Sequence, residues 1–441
     1  MSILFLIDGE HYPPVVLDAM RAVEERTGRK GLAAAFLGGT EKLKEGTDYG
    51  LPLVHAEDPV SAVERALATY LGVEVVVDLS DEPVVGYRER MRIASLALAA
   101  GAAYQGSDFE IVPPHFEDVS SKPSLAVIGT GKRVGKTAVS GYLARLLARE
   151  GFDPGVVSMG RGGPREPEVV MGHEMEVGSD YLLEALGRGA HAASDYYETA
   201  ALSRVVTVGC RRCGGGLAGE PFVSNVVEGA TLANDLDTAM TLFDGSGAAM
   251  PPVAVDGRVL VAGAHQDPEY IVGYLGTYRL LVSDLLLLTM SEEPMASREK
   301  VDALLRAVGQ VKPDLPVIPV VFRPRPVGSL EGLRVVYAST APPAVLEKLS
   351  RHLEDEYGCE VVAASGALSN RKELAGDLDA AGEADAYLTE IKAAAIDVVT
   401  RRGAQEGRPV LYCDNDPVGE GLDEALLDLA RGAFRRHETG M

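Results

Sequence analysis

Cysteine is scarce. Cys210, Cys213, Cys359 and Cys413 are all that a chain of 441 residues carries. Four thiols spread so widely exclude a disulfide scaffold. Positive charge is also short, with 42 Lys and Arg against 65 Asp and Glu and a net charge of −23. That balance argues against nucleic acid or an anionic membrane as a partner. It leaves room for an anionic small molecule, because a local group of arginines inverts the field where it counts. Long apolar runs are missing, and none approaches the roughly 20 residues that span a bilayer. Ser2–Ile7 is apolar but short, lacks a basic leader and runs straight into Asp8, so no signal peptide is read and a cytoplasmic location is expected. There is no internal repeat and no low-complexity tract.

What is present suits a large α/β protein. Hydrophobic residues make up 46% of the chain, and its length suggests two to three domains. Apolar runs alternate with helical periodicity from the start. SILFLI ends in Asp8-Gly9-Glu10-His11, GLAAAFL ends in Gly38-Gly39, and VEVVV ends in Asp78. This β-then-α rhythm predicts a mainly parallel sheet, with ligands beyond the carboxyl ends of its strands. Asp8, Glu10, His11 and Asp78 stand at such ends, where loop capping and ligand contact are both open. Pro113–Ser124 is polar and broken by proline, and reads as a linker.

The most informative stretch is Leu125–Glu150. The apolar run Leu125–Ile128 precedes the turn Gly129, Thr130, Gly131, Lys132, Arg133, Val134, Gly135, Lys136, Thr137, and Ala138 continues into an amphipathic helix. Strand, glycine turn, Gly-Lys-Thr and helix is the order of a phosphate-binding loop. Glycines let backbone N–H groups curl around phosphate oxygens, and the helix N-terminus adds partial positive charge. Lys136 is expected on the β and γ phosphates of ATP, and Thr137 on Mg²⁺. The first glycine is out of standard register, since Thr130 occupies its usual place.

Further along, AMTLF runs into Asp244-Gly245-Ser246-Gly247. An apolar strand capped by one aspartate is how such ATPases hold Mg²⁺, so Asp244 joins Thr137 as a metal candidate. GVVSMGRGGPREPE offers Arg161, Gly162 and Gly163 to an anion and Glu166 to a second metal contact. VGCRRCGGG carries a CxxC with no second ligand pair for zinc, so Arg211 and Arg212 before three glycines read first as an anion-binding nest, then as a structural turn, with a metal or redox role as the third alternative. His191, in HAASDYYE, is a candidate substrate contact. Val253–Val261 reads as a hairpin, and Pro316–Phe322 as one strand leading to a nucleotide lip at Phe322–Pro326.

The turn GTGKRVGKT resembles the loop of the dethiobiotin synthetase group of P-loop ATPases. Longer strings resemble the archaeal-type cyclic 2,3-diphosphoglycerate synthetase family: IDGEHYPPVV, GTGKRVGKT, MGRGGPREPE, GCRRCGGG, DGSGAAMPP and YLTEIKAAAIDVV. They span nearly the whole chain. The resemblance implies a P-loop ATPase core with a separate N-terminal Rossmann-like α/β domain. It implies ATP-driven closure of 2,3-bisphosphoglycerate, or a similar acidic phosphometabolite, to a cyclic pyrophosphate. Lys136, Lys132 and Arg161 would be catalytic on this reading, with Arg161, Arg211, Arg212 and Lys132–Arg133 forming a clamp. Expected domains are 1–120, 121–345 for the core and 346–441 for a C-terminal α/β extension, with a homodimer in view. A kinase for an acidic phosphometabolite and an ATP-dependent switch or partitioning protein share the same loop and stand as alternatives.

Overall fold

The computed structural model describes residues 2–39, 47–174, 195–391 and 395–440. The chain divides into two compact units. The first comprises Met1–His115, Gln266–Ser283 and Arg306–Asp314, and the second holds the rest.

In the first unit, β1 (Ser2–Ile7), β2 (Lys30–Phe36), β3 (Leu53–Val54), β4 (Val75–Asp78), β5 (Ala103–Gln105) and β6 (Glu110–Ile111) form one sheet in the order β3-β2-β1-β4-β5-β6. All pairs but β5–β6 are parallel. Ile3, Leu4, Phe5, Leu6 and Ile7 are fully buried, as a strand covered on both faces requires. Asp8 is buried and already engaged. It accepts N–H bonds from Glu10 (3.0 Å), His11 (3.2 Å) and Asp81 (2.8 Å), and its Oδ1 lies 2.8 Å from His11 Nδ1. It therefore ties the loop after β1 to the loop after β4, which is the capping role.

The second unit contains two sheets. The larger has β7 (Ser124–Gly129), β8 (Pro154–Gly160), β9 (Glu168–Met171), β10 (Val206–Cys213), β11 (Val223–Ser224), β12 (Met240–Asp244), β13 (Gly257–Gly263), β14 (Leu285–Thr289) and β15 (Val317–Pro319). Its order is β11-β10-β8-β12-β7-β13-β14-β15, with β9 beside β10. The strands from β8 to β15 along this order are parallel, so β7 is central and its turn opens at the carboxyl edge. The helix Lys136–Arg149 follows that turn and buries Val139, Leu143, Leu146 and Leu147.

The smaller sheet has β16 (Val321–Pro326), β17 (Arg334–Ala338), β18 (Glu360–Ser365), β19 (Ala386–Glu390) and β20 (Val410–Val418), ordered β16-β20-β19-β17-β18. Asp414 and Asp416 of β20 pair with Arg145 of the phosphate-loop helix, which fixes that helix to the smaller sheet.

Three expectations need correcting. Val253–Val261 is no hairpin: Asp256 Oδ2 accepts from Ser124 N (2.8 Å) and sets Gly257 beside Leu125 in a parallel pairing. Pro316–Phe322 is not one strand. Val317–Pro319 joins the larger sheet, while Val321 begins the antiparallel pairing of β16 with β20. Proline at 319 has no N–H to continue a ladder, so the chain changes sheets there. Residues 116–123 are bonded to the larger sheet's unit, with Lys122 Nζ donating to Ala233 O (2.9 Å) and Leu236 O (2.6 Å).

Candidate functional site

The glycine turn between β7 and its helix is held from three sides. Thr130 N donates to Val261 O on β13 (3.1 Å). Thr289 Oγ1, at the end of β14, lies 2.8 Å from Val134 O and 3.1 Å from Ala262 O. Phe322 packs on Gly135, whose added Cβ would meet the ring at 2.2 Å. Gly135 has φ +89° and Arg133 has φ +60°, the left-handed conformations that curl the backbone inward.

Lys136 is buried at 8% exposure and folds over its own loop, with Nζ donating to Gly131 O (3.1 Å). A Cβ on Gly129 would sit 2.7 Å from Lys136 Cδ, so only glycine leaves a track for the lysine stem. Gly131, Thr137 and Ala138 are half-buried around it, whereas Lys132 and Arg133 are exposed.

Asp244 ends β12, the strand beside β7, and is 2% exposed. It aligns with Val127 on one side and Ser158 on the other, so it opens on the same edge as the phosphate loop. Gly245 N donates to Val127 O (2.9 Å), and Ser246–Ala249 makes a tight reciprocal turn. The oxygens of Asp244 and Thr137 suit a hard cation such as Mg²⁺.

Arg161 and Arg212 meet at that turn. A Cβ on Gly247 would lie 2.6 Å from Arg161 Nη2 and 3.2 Å from Arg212 Nη2. Arg212 is fixed further by bonds from Nη2 to Ser246 O (2.7 Å) and from Nη1 to Gly214 O (2.8 Å). Two guanidinium groups thus stand over the loop that carries the buried carboxylate.

Not every sequence candidate joins them. The CxxC lies within β10 and not in a glycine nest, and of the three glycines Gly214, Gly215 and Gly216 that follow it only Gly214 has a left-handed φ, of +72°. Successive strand side chains leave on opposite faces, so Arg211 diverges from Arg212. For the same reason Cys210 is buried and Cys213 exposed, and burial pushes the Cys210 thiol up to about 12. Glu166 and Gly162 are exposed, and among the described residues no three His, Cys, Asp or Glu side chains gather as a metal cluster. Gly163 is a packing glycine, since its Cβ would fall 2.0 Å from Cys210 O. His191 lies outside the described residues.

A family model for the P-loop domain of cyclic 2,3-diphosphoglycerate synthetase matches residues 124–321. Models for the N-terminal and C-terminal domains of the same synthetase match 2–112 and 326–416. A protein of Rubrobacter xylanophilus named cyclic 2,3-diphosphoglycerate synthetase is 77% identical over 435 residues, covering 99% of this chain and 98% of its own. One of the same name from Methanothermus fervidus is 45% identical over 449 residues, covering 98% and 97%. The chain belongs to the cyclic 2,3-diphosphoglycerate synthetase family. It is thus a member of an enzyme family of mixed α/β architecture with a P-loop core. A solved structure of LpxK from Aquifex aeolicus in complex with ATP also aligns, at 15% identity and a TM-score of 0.42, over 71% of this chain and 90% of that one.

Within this family member, some residues at the site carry no sequence signal. Thr289 reads only as the end of LLLLT. His265, whose ring crowds the Cβ position of Gly263 at 2.5 Å, reads as a loop histidine. Burial, and then the nearby charge of Lys300, lower its affinity for a proton. Asn225 reads as an ordinary helix cap.

Proposed function

We propose that the chain closes 2,3-bisphosphoglycerate into cyclic 2,3-diphosphoglycerate and converts ATP to ADP and phosphate. The observation that supports this most is the meeting of Arg161 and Arg212 over Gly247, in the loop that follows buried Asp244 beside the phosphate loop. A nucleotide site alone needs no such pair. A substrate with two phosphates does.

The chemistry runs in two displacements. An oxygen of one substrate phosphate attacks the γ phosphorus, and the bond to ADP breaks. The substrate now carries a pyrophosphoryl group. An oxygen of its second phosphate attacks the inner phosphorus of that group, and inorganic phosphate leaves. A ring containing one P–O–P link results. The attacking oxygens are already ionised, so no general base is needed.

Every reacting group is anionic, so catalysis is mostly positioning and charge neutralisation. Lys136 would unfold from Gly131 O to the β and γ phosphates. Arg161 and Arg212 would hold the two substrate phosphates close against their repulsion, each charge-assisted contact contributing about 1.5–3 kcal/mol. Thr137 and Asp244 would hold Mg²⁺, which supplies charge neutralisation at the phosphate oxygens. Phe322, packed on Gly135, is in place to border the nucleotide.

Lys136→Ala tests the nucleotide half. Turnover should fall by about 10²–10³ or more, as for loss of one preorganised charge donor. Near-normal turnover in a folded Lys136→Ala protein would remove the phosphate-loop assignment. Arg161→Ala and Arg212→Ala test the other half, and should raise the substrate constant far more than the ATP constant.

A further inference from the structure

We infer that Asn225 is a positioning residue that spaces the two arginine-bearing segments and so preforms the anion clamp. This rests on the clamp reading of Arg161 and Arg212 given above.

Asn225 is 9% exposed and spends its whole amide on two backbones. Its Oδ1 accepts from Arg211 N on β10 (2.7 Å). Its Nδ2 lies within reach of Pro164 O (3.3 Å) and Arg165 O (3.2 Å), in the loop that begins with Arg161. Its own N–H donates to Arg211 O (3.3 Å). One side chain therefore bridges the segment of Arg161 to the strand of Arg212. The two backbones also touch directly at Gly163, which leaves no slack between them.

The residue's place in the chain makes this use informative. Asn225 stands at the start of the helix Val226–Asn234, where asparagine normally accepts from the first helical N–H groups. Here it makes no such cap. The N–H of the first helical residue, Val226, goes to Ser224 Oγ at 3.1 Å. The amide has been released from local duty and given to the arginine segments. Only an amide fits both neighbours, because it offers an acceptor to Arg211 N–H and donors to two carbonyls. Aspartate keeps the first bond and turns a carboxylate oxygen toward the carbonyls. Alanine loses both.

The test is steady-state kinetics with ATP and 2,3-bisphosphoglycerate on Asn225→Ala, Asn225→Asp and each combined with Arg161→Ala, after thermal melts show folded protein. A shift of about 1 Å at a positioned group costs up to about a hundredfold, so the substrate constant should rise at least about tenfold in both single variants. The ATP constant should stay within about twofold. In the Arg161→Ala background, Asn225→Ala should add less than about twofold, because the group it positions is gone. A purely structural role would instead give multiplying effects and comparable shifts for both substrates. That result, or an unchanged substrate constant in folded Asn225→Asp, overturns the inference. The clamp reading is judged separately. If Arg161→Ala leaves the substrate constant unchanged, the clamp fails and the inference with it. If Arg161→Ala raises the constant and the Asn225 variants do not, the inference alone fails.

Discussion

Replacing Gly247 with alanine puts a methyl group where two guanidinium groups already stand. The added carbon would lie 2.6 Å from Arg161 Nη2 and 3.2 Å from Arg212 Nη2. Comfortable separation is about 3.5–4.0 Å, so Arg161 must withdraw by about 1 Å. Arg161 is exposed and can withdraw, whereas Arg212 is tied to Ser246 and Gly214. The stability cost then comes mainly from the backbone. Gly247 has φ +63°, and a residue with a Cβ loses about 1–2 kcal/mol in that region. The functional cost should be larger, because a positioning error of about 1 Å can remove on the order of a hundredfold in rate. Release of phosphate, followed at varied 2,3-bisphosphoglycerate and at varied ATP, reads the two constants separately. We expect a large rise in the first and little change in the second, with a melt lowered by a few degrees. A folded Gly247→Ala protein with a normal substrate constant would refute the reasoning, as would equal rises for both substrates.

Other expectations concern what holds the site. Thr289→Val leaves the Val134 and Ala262 carbonyls short of a hydroxyl, at about 1–3 kcal/mol of stability, and should weaken ATP binding measured by calorimetry. Arg145→Ala leaves Asp414, whose carboxyl burial already pushes above the usual range, with only the longer Arg325 contact at 4.0 Å, and urea unfolding should show a loss of up to about 3–5 kcal/mol. Burial alone would raise the Glu292 carboxyl, but bonds from Arg323 and Lys348 bring it below its usual value. Its folded value is the lower one, so its contribution is full above the ordinary carboxylate range and is lost as pH falls through the folded value. Arg323→Leu should therefore be less stable than the unaltered protein at pH 7, and their urea midpoints should converge in acid. Curves that stay parallel into acid would contradict that linkage.

Local signals in the sequence carried what is local in the structure. The phosphate loop was legible because strand, glycines, lysine and helix are contiguous. The place of Asp244 at the end of β12 was legible too, because an apolar run closed by a carboxylate is a contiguous signal. Pairing between distant segments was not legible. Asp256 looks like a turn residue until it bonds Ser124 across the sheet. Arg211 and Arg212 look like a matched pair until β10 extends through them and sends them to opposite faces. Gly163 looks like loop flexibility, yet it is required because Cys210 O passes so close to it. Asn225 was hidden most fully, since its position predicts a cap and its side chain serves a loop about sixty residues earlier. In each case a tertiary contact reassigned a residue whose neighbours in sequence suggested something else.

Phosphorus NMR of the purified protein with ATP, Mg²⁺ and 2,3-bisphosphoglycerate bears on the whole account at once. The expected spectrum gains ADP, inorganic phosphate and the paired resonances of a cyclic pyrophosphate in equal amounts. A linear phosphorylated product without free phosphate, or ATP consumed while the bisphosphate stays unchanged, would contradict it.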